Sequence, residues 1–148
     1  MSEVGIFVGS VYGNAQHVAE EVQELLTSKG VKSGLYDDPS IDDFSSCTGY
    51  IFISSTTGQG DIPPNLEFFI ADLRDSFPLM EQKPFAVIGL GDSSYYDSFC
   101  GAGEQIHGLL LELQGTPVAE LLRIDACETL EPEKEAVAWI ENLVPKFS

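Results

Sequence analysis

The chain alternates short unbroken apolar runs with longer segments in which apolar positions recur every three or four residues. Glu3 to Gly9, with Ile6, Phe7 and Val8 in succession, predicts a buried first strand. From about Gly13 to Ser28, Val18, Ala19, Val22, Leu25 and Leu26 fall on one helical face, and Gly30 supplies a stop. Val31 to Tyr36 predicts a second strand that Lys32 and Gly34 interrupt, and Ile41 to Phe44 a short helical turn. Tyr50 to Ser54 is a continuous apolar strand; Ile62 to Pro64 then lead into a helix with Leu66, Phe69, Ile70 and Leu73 on one side. The prolines suit its first turn, where no N–H is required. Phe85 to Gly89 predicts the fourth strand. A helix follows from Gly103 to about Gln114, with Ile106, Leu109, Leu110 and Leu113 facing inward and Gly115 ending it. Val118 to Ile124 has the mixed composition of an edge strand. Glu131 to Val144 closes the chain as a helix carrying Val137, Ile140, Leu143 and Val144, with Trp139 beside the stripe.

Five alternations of strand and helix predict an α/β fold, a parallel sheet with helices on both faces, in a single domain over residues 1–148. Ligands of such sheets bind beyond the carboxyl ends of the strands, where the strand order reverses. The loops after strands one, three and four lie at that end, and they are the chemically unusual ones.

Ser10-Val11-Tyr12-Gly13-Asn14-Ala15 joins a strand to a helix through a small, hydroxyl-bearing turn. Backbone N–H groups and the positive end of the helix dipole make such a turn a phosphate site without Lys or Arg. It lacks the Gly-Lys-Ser/Thr ending of a nucleoside-triphosphate loop and the spaced glycines of a dinucleotide fingerprint, which favours a ligand with one terminal phosphate. Ser55-Thr56-Thr57-Gly58-Gln59-Gly60-Asp61 places two glycines where a backbone would approach something flat or small. Leu90-Gly91-Asp92-Ser93-Ser94-Tyr95-Tyr96-Asp97-Ser98-Phe99 reads as an aromatic and hydroxyl loop. A planar ring system bearing one phosphate fits the three together, with the phosphate on the N–H groups from Ser10 to Ala15 and on the Ser10 and Asn14 side chains, and one ring face against an aromatic.

Composition adds one strong constraint. With 24 acidic and 7 basic residues, the net charge is −17. That acidity disfavours nucleic acid and anionic membrane, which bind through Lys and Arg, and favours basic protein surfaces. No Lys or Arg occurs from Ser33 to Leu73 or from Pro84 to Leu122, the spans that hold two of the unusual loops. No apolar run approaches the roughly 20 residues of a membrane span, and no basic region precedes the first apolar run as in a secretory signal. Cys47, Cys100 and Cys127 lack metal-ligand spacing and read as reduced thiols of a cytoplasmic protein. His17 and His107 lie off the helical stripes and read as surface or packed imidazoles.

Ser-Val-Tyr-Gly-Asn (10–14), Ser-Thr-Thr-Gly-Gln-Gly-Asp (55–61) and Leu-Gly-Asp-Ser-Ser-Tyr (90–95), in this order and spacing, resemble the FMN-binding loops of flavodoxins. The likeness is closest to short bacterial flavodoxins and to the FMN modules of diflavin reductases, and it spans the whole chain. It implies a five-stranded sheet of order 2-1-3-4-5, with no long interruption of the fifth strand, and electron transfer through non-covalently bound FMN. Residue by residue, it implies that Ser10, Val11, Tyr12, Gly13, Asn14 and Ala15 form the phosphate loop; the family usually has Thr or Ser where Ala15 stands. Ser55, Thr56, Thr57, Gly58 and Gly60 match a first ring loop, in which many relatives carry an aromatic at the position of Thr57. Leu90, Gly91, Asp92, Ser93, Ser94 and Tyr95 match a second. Tyr95 resembles the ring-stacking tyrosine, with Tyr96 and Phe99 its nearest competitors. Asp125 stands near where diflavin modules bring a carboxylate toward the ribityl chain.

On this reading no side chain acts as a general acid, nucleophile or metal ligand: the ring carries electrons and the protein sets their potential. Acids near the ring, notably Asp61, Asp92 and Asp97, would disfavour the anionic reduced flavin. Gly58 would turn its peptide to meet the flavin N5 when the ring gains one electron. The expected partners are a basic flavodoxin reductase and basic acceptor enzymes, engaged by a monomer. Two other classes compete. A flavin-independent regulatory protein on this fold would need, if of receiver type, acids where Ser10 and Val11 stand. A small FMN-dependent reductase would need a pocket loop longer than any visible here.

Overall fold

The structure, a computed structural model, describes residues 3–10, 13–55, 62–91, 101–125 and 131–147. The strands are β1 (Val4–Gly9), β2 (Ser33–Tyr36), β3 (Gly49–Ser55), β4 (Pro84–Gly91), β5 (Thr116–Pro117) and β6 (Leu122–Asp125). The helices are α1 (Asn14–Ser28), α2 (Ile41–Ser45), α3 (Pro64–Ser76), α4 (Gly101–Glu112) and α5 (Pro132–Leu143), followed by a 3-10 turn over Val144–Phe147. All pairings are parallel, in the order β2-β1-β3-β4-β5, with β6 also on β4. The doubly wound α/β class and its strand order are therefore as expected. One element differs. The single fifth strand expected over Val118 to Ile124 is two short strands, β5 and β6, separated by residues 118–121. At this edge only β4 is available for pairing, and the alternation of buried and exposed residues that marks a strand is weak.

The period-two geometry of the strands sorts their side chains into two chemically distinct layers. Val4, Ile6, Val8, Ile51, Ile53, Ala86, Ile88, Leu90 and Ile124 face α1 and α5 and build an aliphatic layer with Val18, Val22, Leu26, Ala136 and Ile140. Phe7, Tyr50, Phe52, Phe85 and Val87 face α2, α3 and α4. This second layer holds a cluster of aromatic rings, set among aliphatic side chains of α3 and α4. Phe7 lies at its centre, stacked on Phe52 at 4.8 Å, Tyr36 at 5.1 Å and Phe69 at 5.7 Å between ring centroids. The predicted turn at Ile41 is the capped helix α2: Ser40 accepts a hydrogen bond from the Asp43 N–H, and the Asp43 carboxylate accepts one from the Ser40 N–H. That box holds Phe44 in the aromatic layer, where the Tyr50 hydroxyl donates to its carbonyl at 2.7 Å.

Close approach fixes the seating of α4. A Cβ on Gly103 would stand 3.0 Å from the Gly89 Cα, so this helix rests directly on the β4 backbone. Of the histidines, His17 is exposed, and His107 is half-buried, edge-on to Phe85 at 5.3 Å. Burial, with the Arg123 charge adding to it, lowers the His107 pKa and so favours the neutral ring.

The aromatic layer also gives the fold an alkaline limit. Burial, helped by the Glu3 carboxylate, pushes the Cys47 thiol up to about 11. Burial first, then Cys47 and the hydrogen bond to Glu3, push Tyr36 up to about 12. In the unfolded chain a cysteine loses its proton near 8.5 and a tyrosine near about 10. Between those values and the folded ones the native state holds more protons, so its stability falls as pH rises. The denaturation midpoint should hold below about pH 8.5 and decline steadily toward pH 11. Cys47→Ala should flatten the early part of that decline, and an unchanged slope would assign it elsewhere.

Candidate functional site

The strand register sets four chain ends abreast. Gly9 pairs with Ser54, Ser55 with Leu90, and Gly91 with Asp125, so β1, β3, β4 and β6 all terminate along one edge of the sheet. At the usual strand spacing these four ends span about 14 Å. The order reverses between β1 and β3: from β1 the chain goes out to β2 and then returns to β3 on the other side. A crevice opens at such a point.

At this edge the first unusual turn is built around hydrogen bonds that narrow the earlier expectation. The Ser10 N–H donates to Asn65 Oδ1 at 3.0 Å, and the Gly13 N–H donates to Ser10 Oγ at 2.9 Å. Those two N–H groups are already engaged, so the anion-facing set is not the whole run from Ser10 to Ala15. The first bond of α1 runs from the His17 N–H to the Gly13 carbonyl, which leaves Asn14, Ala15 and Gln16 as the helix-end donors. Gly13 takes φ 86°, a conformation that glycine adopts without a Cβ penalty. The helix start has no side-chain cap and no acidic residue in its first turn. An external anion would satisfy these donors and meet the helix dipole. Ala15 is fully buried in the aliphatic layer, so its methyl is core and its contribution to a ligand is the backbone N–H. Asn14 is exposed.

Gly9 closes the floor of the turn. A Cβ there would meet Ser54 Oγ at 2.7 Å, Leu66 Cδ1 at 3.0 Å and Pro63 Cγ at 3.3 Å, so the end of β1 lies against the start of α3. Ser55 ends β3, partly exposed. Leu90 and Gly91, expected in a loop, belong to β4 instead. The ladder to β6 continues through Gly91, and the Leu90 side chain packs in the aliphatic layer, so only its backbone can face the edge. Asp125 is buried at the end of β6, opposite Gly91. Val11, Tyr12, Thr56, Thr57, Gly58, Gly60, Asp61, Asp92, Ser93, Ser94, Tyr95, Tyr96, Asp97 and Phe99 lie outside the described residues, as do Cys100 and Cys127.

Residues 6–139 match the family model described as flavodoxin. The chain belongs to the flavodoxin family. It is 41% identical over 144 residues to flavodoxin YqcA of Escherichia coli, covering 96% of each chain. A mutant flavodoxin from Pseudomonas aeruginosa superposes with a TM-score of 0.91 at 39% identity, covering 97% of both chains. The flavodoxin of Fusobacterium nucleatum, solved bound to flavin mononucleotide, shares the fold at a TM-score of 0.81 and 16% identity over the full length of both. Flavodoxin is itself a named example of the rule that ligands bind at the strand-order reversal.

Charge is unevenly distributed about this flavodoxin sheet. Lys32 and Lys83 immediately precede β2 and β4, while Lys29 follows α1, Arg74 ends α3 and Lys146 follows α5. All five therefore sit toward the amino-terminal edge, away from the site. The other two, Arg123 and Lys134, pair with Glu104 and Glu131, each at 3.1 Å, as Lys29 and Lys32 pair with Glu141 and Glu3 at 3.8 Å and 4.0 Å. Asp37 and Asp38 follow β2 at the carboxyl edge and are exposed. Among the described residues no helix is long and apolar enough to cross a membrane, and no group of three or more His, Cys, Asp or Glu is placed to hold a metal ion.

One residue of this edge was not anticipated. Asn65, in the first turn of α3, donates to the Val8 carbonyl at 2.7 Å and the Asp37 carbonyl at 2.8 Å while accepting from Ser10. Its partners stand 28 to 57 residues away in the chain, and no local pattern announces them.

Proposed function

We propose that the whole chain acts as one monomeric domain that holds FMN non-covalently at the carboxyl edge of its sheet and exchanges electrons with basic redox proteins. The observation that carries this reading is the uncapped, acid-free start of α1 beside the aligned ends of β1, β3, β4 and β6. FMN supplies one- and two-electron chemistry when bound. The phosphate would rest on the Asn14 and Ala15 N–H groups and on the Ser10 hydroxyl, whose proton stays available because its oxygen accepts from Gly13. Ser55 and the backbone of Leu90 and Gly91 would border the ring, and Asp125 the ribityl chain. In the same reading Val11 and Tyr12 complete the phosphate loop. Thr56, Thr57, Gly58 and Gly60 lie along one side of the ring, and Asp92, Ser93 and Ser94 along the other. Tyr95 covers a ring face, with Tyr96 and Phe99 beside it.

Neutral amides suit this task in so acidic a protein. A lysine at the phosphate would tighten binding but would place a positive charge where a basic partner must approach. Helix-end donors hold the dianion by short-range dipoles and leave the long-range field negative. The placement of five of the seven basic residues toward the opposite edge orients that field, so a basic partner is drawn to the end where the flavin would be held.

The test is isolation. The purified protein should be yellow and should release one FMN per chain on denaturation. Colourless protein that refuses FMN at micromolar concentration would end the proposal.

A further inference from the structure

We infer that Asn65 is a positioning residue for the phosphate turn, and that it selects for a phosphorylated flavin without touching it. The inference rests on the FMN reading above.

The Asn65 side chain has an acceptor and two N–H donors, and all three are used. Its oxygen accepts the Ser10 N–H, and its nitrogen donates to Val8 and Asp37. One amide thereby fastens the end of β1, the turn after it, the loop after β2 and the first turn of α3. These are the pieces that meet where the strand order reverses. The contact with Ser10 continues into the turn, because Ser10 Oγ accepts from the Gly13 N–H directly before α1. Asn65 thus orients Ser10, and Ser10 orients the residue that opens the helix. The corner is close-packed at Gly9, where a Cβ would meet Ser54 Oγ at 2.7 Å. Without Asn65 the Ser10 N–H loses its acceptor and two strand-end carbonyls lose their donor. The hydroxyl and the helix-end donors would then no longer be held on a common point.

A phosphate asks for that common point; a flavin ring does not. The experiment therefore compares FMN with riboflavin, which has the same ring and no phosphate, on the wild-type chain and on Asn65→Leu. Leucine keeps the volume and removes every polar group. The wild type should bind FMN far more tightly than riboflavin. In Asn65→Leu, FMN affinity should fall at least tenfold while riboflavin affinity changes by less than twofold. If Asn65→Leu does not fold, as judged by its circular dichroism and thermal transition without flavin, Asn65→Ala is measured in the same way. It removes the acceptor for Ser10 together with the donors and adds no charge, and the same narrowing of the ratio is expected. Equal losses for both flavins, or no loss, would show that Asn65 serves the fold alone and would overturn the inference. A wild type that binds neither flavin would instead overturn the parent reading, and this inference with it.

Discussion

Replacing Phe7 with alanine should destabilise the protein by about 3–5 kcal/mol, the range for deleting a fully buried phenyl ring from a core that cannot collapse around the gap. Phe7 is on β1, completely buried, and stacks at once on rings from β2, β3 and α3. Its removal deprives three elements of their shared contact, and the surrounding rings are too stiff to refill the space. For a domain of this size the loss corresponds to a fall in thermal midpoint of about 6–20 °C. Phe7→Leu, which keeps most of the volume, should cost less than half as much. A loss under about 1 kcal/mol for the alanine variant would mean that the aromatic layer is not packed as described. The effect should reach the site as well. Phe7 lies two residues before Gly9, so a loosened β1 loosens the phosphate turn.

Salt should act in opposite directions on the two encounters proposed for this protein. A chain of net charge −17 repels the FMN phosphate at long range and attracts a basic reductase. The Debye length falls from about 30 Å at 0.01 M to about 8 Å at 0.15 M, so added salt weakens both fields. Reduction by a basic reductase should slow tenfold or more over that range, since steering contributes about 10 to 1,000-fold to such rates. FMN association with the apoprotein should hold steady or accelerate, because the helix-end dipoles act at contact and are screened little. Stopped-flow measurements of both rates across one salt series would check the pair. A phosphate site built on Lys or Arg would instead show FMN binding weaken with salt. A reduction rate indifferent to salt would remove the basic partner from the account.

The parts of this molecule legible from sequence are those governed by local periodicity. β1, β3 and β4 stand between layers and are buried on both faces, which writes continuous apolar runs into the chain. The stripes of α1 and α3 named their buried residues because each helix rests on one side of the sheet. The edges were harder. β2 is only partly buried throughout, and the β5–β6 pair is broken, so neither offers a clean pattern. Leu90 and Gly91 looked like a loop because glycine and the polar residues beyond imitate one, whereas pairing with β6 keeps them in the strand. The two layers, one aliphatic and one aromatic, follow from which alternate positions share a face, and they emerge only when the strands are set in register.

The candidate site divides in the same way. Ser10, Gly13, Asn14 and Ala15 were readable because a strand, a small turn and a helix in succession have one geometry. Which of their N–H groups remain for a ligand depends on Asn65, a partner 55 residues from Ser10. Long-range side-chain bonds of this kind leave no trace in spacing or composition.

FMN held along the carboxyl edge of the sheet would leave its mark on the amide chemical shifts. On adding FMN to the apoprotein, the amides of Asn14, Ala15, Ser55, Gly91 and Asp125 should move together and saturate at one equivalent. Those of Val4, Ser33, Gly49 and Phe85, at the opposite edge, should stay in place. Shifts confined to the amino-terminal edge, or none at all, would contradict the account.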